Sequence, residues 1–141
     1  MTKANVENGV YRLIALHLRR KYPDVMFHFD LSGVHNPSRY SRGLYAELNG
    51  TRGWPDLHIA ARSHPLFGSF IGLYIEIKAD GTTIRKRDGS LVADPHIREQ
   101  AEVIKRLNAT GHYAAFGVGY QSCKQLIDAY LTGSAKEIVE F

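Results

Sequence analysis

The sequence predicts an α/β sandwich, a central mixed β-sheet flanked by helices. Three observations carry that prediction. Apolar residues recur at intervals of three and four in two long segments, short apolar runs lie between and after them, and Gly, Pro and Asp punctuate the joins. With 141 residues, 44% hydrophobic and 23% charged, the composition is that of a globular domain and lies outside the disordered and collagen-like ranges. A single domain over 1–141 is expected, large enough to bury a core without a disulfide or a structural metal.

Val6, Val10, Leu13, Ile14 and Leu18 form the stripe of an amphipathic helix over 5–21, ended by Tyr22-Pro23. A strand follows at 25–29. Asn36-Pro37 resembles a helix start, and Tyr40, Leu44 and Leu48 sit four apart before Asn49-Gly50 closes the segment. Strands are expected at 57–61 and 70–79, joined by turn residues that make them antiparallel neighbours. Asp88-Gly89 reads as a type I′ turn, which would carry Arg85-Lys86-Arg87 on a protruding hairpin. Asp94 can cap the next helix, with Pro95 in its first position, a stripe of Ile97, Ala101, Ile104 and Leu107, and Gly111 as its stop. A last strand at 112–118 and a helix at 122–131, packed through Leu126, Ile127 and Tyr130, complete the order.

Eighteen Lys and Arg against fourteen Asp and Glu give a net charge of +4, which permits a nucleic-acid partner without demanding one. The excess is uneven: residues 1–98 carry 14 basic and 9 acidic side chains, residues 99–141 carry 4 and 5. The lone Cys123 has no disulfide partner, and MTKANVENGV lacks the apolar run of a secretory leader, so a cytoplasmic, non-secreted chain is expected. Charged residues interrupt every apolar run short of the ~18 residues a membrane span needs. The seven histidines show neither His-x-His nor His-Glu-x-x-His spacing, and no phosphate-binding glycine loop occurs, so neither zinc nor a nucleotide cofactor is expected.

Three polar residues stand where packing alone would place apolar ones, an inconsistency that marks functional sites. Glu7 falls between Val10, Ile14 and Leu18 on the first helix, and Gln100 between Ile97, Ile104 and Leu107 on the later one. In the strand 70–79, alternation puts Ile71, Leu73, Ile75 and Ile77 on one face and Tyr74, Glu76 and Lys78 on the other. Pro55-Asp56 delivers a second carboxylate at the mouth of the preceding strand, within reach of Glu76 if the two strands pair. A bare Glu-x-Lys arises by chance roughly half a time in a chain of this length, and Glu76 with Lys78 can equally be a surface ion pair. The conjunction with Asp56, Gln100 and Glu7 is what gives the motif weight.

Gly53-Trp54-Pro55-Asp56-Leu57, Tyr74-Ile75-Glu76-Ile77-Lys78, and Glu99-Gln100 followed by Ile104, Leu107, Gly111 and Tyr113 resemble the virus-type replication-repair nuclease (VRR-NUC) domain of the restriction-endonuclease-like PD-(D/E)xK superfamily. The resemblance implies a restriction-endonuclease-like sandwich. It also implies a metal-dependent DNA endonuclease in which Asp56, Glu76 and the Ile77 carbonyl hold Mg²⁺ or Mn²⁺, with Glu7 supporting the metal directly or through water. Lys78 would orient or deprotonate the attacking water, and Gln100 would support the site or touch phosphate. Stand-alone members resemble Holliday-junction resolvases, which implies branched DNA as partner, a homodimer, and a bacterial or phage-infected cell. Arg39, Arg42, Arg52, Arg85, Lys86 and Arg87 are the candidates to track phosphates. A flap, nicking or single-strand nuclease of the same chemistry, and a non-catalytic nucleic-acid-binding module, are the alternatives.

Overall fold

The computed structural model describes residues 3–30 and 38–134, with side chains from Asn8 onward. Eight elements follow in order: α1 (Lys3–Lys21), β1 (Phe27–Phe29), α2 (Arg39–Leu48), β2 (Leu57–Ile59), β3 (Leu73–Lys78), α3 (Pro95–Asn108), β4 (Tyr113–Val118) and α4 (Gly119–Thr132). The sheet order is β1-β2-β3-β4. The first three strands are antiparallel in sequence, and β4 returns parallel to β3 after the α3 crossover. Among the described residues, no helix is long and apolar enough to cross a membrane.

Every side chain of β3 is buried, because helices cover both faces of the sheet there. Leu57, Ile59, Leu73, Ile75 and Ile77 pack against Val10, Ile14 and Leu18 of α1 and Leu126, Ile127 and Tyr130 of α4. The opposite face sets Tyr74 and Ala114 against Val103 and Leu107 of α3. As the sequence indicates, Asp94 caps α3 by accepting from the His96 and Ile97 amides, and Pro95 opens the helix.

Several local expectations change. Leu13 is 47% exposed, because the buried stripe runs through Val10, Ile14 and Leu18 with Tyr11 beside them, on the flank away from Leu13. Ile71 lies outside β3 and is exposed rather than inward-facing. On α3, Val103 takes the buried position instead of Ile104. Helix α2 starts from Ser38, whose hydroxyl accepts from the Ser41 amide; Asn36-Pro37 lies outside the described residues. Cys123 is fully buried in the core, and burial pushes its thiol up to about 12, so it is chemically quiet. The basic hairpin forms, with Arg85 bridged to Leu91, but its turn is not type I′. That turn needs positive φ at both central residues, whereas among the described residues only glycines have it, here Gly89 at 86°. The Gly89 amide closes on the Lys86 carbonyl at 3.0 Å and the Lys86 amide on the Ser90 carbonyl at 2.8 Å. This is a three-residue loop that spares Asp88 a left-handed backbone.

One buried carboxylate is structural. Asp128 of α4 accepts from the Tyr22 hydroxyl (2.6 Å) and bonds His17 Nε2 (2.8 Å), with Lys21 and Lys124 at 3.4 and 3.5 Å. It fastens the end of α1 to α4. Burial acts to raise its carboxyl, but the Tyr22 and His17 hydrogen bonds and the nearby cations outweigh it and hold the group below its ordinary value. A depressed folded-state value means that the stabilisation is present above the unfolded value of about 3.9 and is lost as pH falls through the folded one. Asp128→Ala should therefore cost about 1–3 kcal/mol at neutral pH by urea denaturation, and the gap from the parent should close in acid.

Candidate active site

The site is built on one register. The β2–β3 pairing of Leu57 with Ile75 places Asp56 directly opposite Glu76, so both carboxylates rise from the same face of the sheet. The Asp30 amide donates to the Asp56 carbonyl at 2.7 Å, extending the β1–β2 pairing by one residue. Asp56 thus turns its carbonyl to β1, and the alternation of hydrogen-bonded pairs turns those of Leu57 and Pro55 to β3. Two residues along from Leu57↔Ile75, Pro55 falls opposite Ile77. Proline has no N–H, so the Ile77 carbonyl loses its ladder donor, while the Ile77 amide donates at 2.9 Å to Asp56 Oδ2.

Around this pair the remaining candidates fall into place. Glu76 and Lys78 are 4% and 8% exposed, with Lys78 Nζ 3.5 Å from Glu76 Oε1. From α3, Gln100 Nε2 donates to the same Oε1 at 2.7 Å. The structure therefore brings Asp56, Glu76, Lys78 and Gln100 together around one cleft. Glu7 belongs to α1, and its side chain lies outside the described residues. Tyr11, one helical turn further on, hydrogen-bonds Asp56. Gly53, with φ of 78°, lets the loop before Asp56 touch α3: a Cβ there would stand 3.2 Å from the Gln100 backbone nitrogen.

The electrostatics are those of two acids forced together. Burial raises the Asp56 carboxyl to about 6, against the opposing hydrogen bonds from the Ile77 amide and Tyr11. Burial also drives Glu76 well above its usual range, helped by the Asp56 charge and opposed by Lys78. Glu76 Oε2 is buried with no hydrogen-bond partner. Gln100 Oε1 is likewise buried and unpaired.

These oxygens fit a hard cation. Two carboxylates, one with a buried oxygen that has no donor, and a carbonyl without its ladder donor form an all-oxygen set of the kind Mg²⁺ accepts. Among the described residues no three His, Cys, Asp or Glu converge, so the donor set rests on Asp56 and Glu76.

Asp56, Glu76 and Gln100 also line an adjoining cleft without Lys78, and Arg42 and Arg52 line that one, whereas Arg39, Arg85, Lys86 and Arg87 are exposed and lie outside both. The Arg85 guanidinium is turned back on its own hairpin, donating to the Gly89 carbonyl. Sequence reading passed over three neighbours. Tyr11 sits beside the stripe of α1, a position that pattern alone assigns to packing. Asp30 pairs with Asp56 across β1–β2, accepts from the Tyr45 hydroxyl at 2.9 Å and lines the same cleft. Trp54 also lines it and is 43% exposed; its place beside Pro55-Asp56 was the available signal.

A solved structure described as "VRR_NUC domain protein" superposes on this chain with a TM-score of 0.61 at 23% sequence identity, covering 89% of this chain and 87% of that one. The chain thus has the VRR-NUC fold, an α/β restriction-endonuclease-like sandwich. No protein-family profile matches the chain, and no curated protein does.

Replacing one of two crowded buried acids should relieve the metal-free protein. Glu76→Gln is expected to raise the melting temperature in chelator by about 3–5 °C, the shift that a gain near 1 kcal/mol gives a chain of this size. Added Mg²⁺ or Mn²⁺ should raise the melting temperature of the parent and leave the variant unmoved, as scanning calorimetry would record.

Proposed function

We propose that the protein is a metal-dependent DNA endonuclease. The observation that carries this reading is the in-register meeting of Asp56 and Glu76, with Lys78 and Gln100 on the same carboxylate oxygen. The VRR_NUC fold supports the same reaction class. Asp56, Glu76 and the Ile77 carbonyl would hold Mg²⁺ or Mn²⁺, which supplies charge neutralisation on the phosphoryl oxygens and help for the departing oxygen.

The chain's own groups do the rest. Lys78 Nζ, a short, compact charge beside Glu76, orients the attacking water and stabilises charge developing on the phosphate. Gln100 fixes the Glu76 carboxylate in one rotamer through its amide, and the Ile77 amide and Tyr11 do the same for Asp56. Arg42 and Arg52 meet backbone phosphates at the cleft wall. Glu7 would add a further carboxylate from α1.

The finer reading is cleavage of four-way junctions by a homodimer, since cutting two symmetry-related strands with a single-site domain calls for a two-fold pair. A nuclease trimming flaps or nicking duplex shares this site chemistry and is separated from it by substrate alone.

Lys78→Ala should lower turnover on a four-way junction in Mg²⁺ by about 10²–10⁴-fold with little loss of DNA affinity. Equal cleavage by parent and variant would remove lysine from the chemistry, and the absence of any Mg²⁺-stimulated cutting by the parent would leave only the DNA-binding module. Junction, flap and linear duplex digested side by side, with sedimentation for the oligomeric state, decide the finer reading.

A further inference from the structure

Trp54 is the chain's single tryptophan, and an isolated exposed aromatic is by itself unremarkable. Its setting is not. The ring stands two residues from Asp56 and shares a cleft of about 400 Å³ with Tyr45, Arg42, Arg52 and both carboxylates. That volume lies within the ~300–1,000 Å³ range of small-ligand sites. Trp54 is also held rather than loose. Pro55 behind it is buried and fixes the backbone, and Gly53 before it is seated against α3. The indole meets Tyr74 edge to face, at 5.6 Å and 84°, and Tyr74 is itself stacked on His58 at 4.3 Å and 5°. A T-shaped contact can occupy one face of the indole at most.

This concave surface combines two aromatic rings and two guanidinium groups with four carboxylates, those of Asp56 and Glu76 at the reaction centre and those of Asp30 and Glu99. Such a combination suits a flat aromatic group attached to an anion. A paired, continuous duplex offers no base face to it, since the bases are stacked on one another and only edges and backbone are presented. A nucleotide outside the stack offers both the ring and the phosphate.

We infer that this cleft takes one unstacked nucleotide adjacent to the scissile phosphate, its base lying on Trp54 and its phosphate held between Arg42 and Arg52. Trp54 is then a specificity-determining residue, and the substrate class is DNA with an unpaired or splayed nucleotide beside the cut. The inference rests on the nuclease reading above.

The test uses Trp54 as its own reporter, since no other tryptophan contributes emission. Lys78→Ala protein in Mg²⁺ is titrated with a duplex bearing one unpaired nucleotide, with the same duplex carrying an abasic residue there, and with the fully paired duplex. Tryptophan emission should be quenched by the first and far less by the other two. Trp54→Ala should bind the first duplex about 10-fold more weakly, in line with stacking of one base, and the paired duplex almost as before; Trp54→Phe should restore most of the loss. Equal quenching by base-bearing and abasic DNA overturns the inference, and so does an equal loss of affinity for all three. The fluorescence arm keeps Trp54 in place, so it stands even if the alanine variant folds poorly. Parent protein that cuts DNA while its tryptophan stays unquenched keeps the nuclease reading and loses this one; quenching without any cutting overturns both and leaves only a nucleotide-binding cleft.

Discussion

Two carboxylates facing each other across neighbouring strands are the constraint on which the rest of the molecule depends. Asp56 and Glu76 are held opposite one another by the β2–β3 register, in surroundings dry enough that both resist ionisation. Like charges in such a place repel, and the protein answers with the Ile77 amide, Tyr11, the Gln100 amide and Lys78. They come from three parts of the chain: β3 supplies the Ile77 amide and Lys78, α1 supplies Tyr11 and α3 supplies Gln100. The fold is the means of bringing these four groups to two acids, and two buried oxygens still go without a donor.

The contrast with Asp128 separates a well-satisfied buried acid from a poorly satisfied one. Both Asp128 and Glu76 are almost completely buried. Asp128 is bonded by Tyr22 and His17 and flanked by two lysines, and its carboxyl stays low. Glu76 has one amide donor, one lysine and a neighbouring acid, and its carboxyl rises. The first stabilises the contact between α1 and α4, while the second stands beside a like group with only part of its burial compensated. The well-satisfied cluster joins α4 to the C-terminal end of α1, the helix that also carries Tyr11.

Much of this was legible from residue order alone. Val10, Ile14 and Leu18 of α1, Ile97 and Leu107 of α3, Leu126, Ile127 and Tyr130 of α4, the Asp94 cap with Pro95, and the inward Tyr74, Glu76 and Lys78 of β3 survive in the structure. So does the meeting of Asp56 with Glu76, because a strand period of two and a short antiparallel connection leave few registers. Other features were hidden for physical reasons. Leu13 and Val103 differ from their expected burial because the neighbouring layer, not the helix period, chooses between adjacent faces. The Asp88-Gly89 turn is a three-residue loop because that form asks a positive φ of Gly89 alone. Asp30 and Tyr11 belong to the site through long-range pairing, for which a single sequence carries no local mark.

Gly53 couples the loop ahead of Asp56 to α3. Its missing side chain allows the segment ahead of Asp56 to lie against the start of Gln100, so two stretches far apart in the chain behave as one mechanical part. Any bulk at that position would act as a wedge, spreading the amide donor away from the carboxylate it grips and slackening the platform on which Trp54 rests. The smallest residue in the chain therefore sets the tolerance to which the whole centre is assembled.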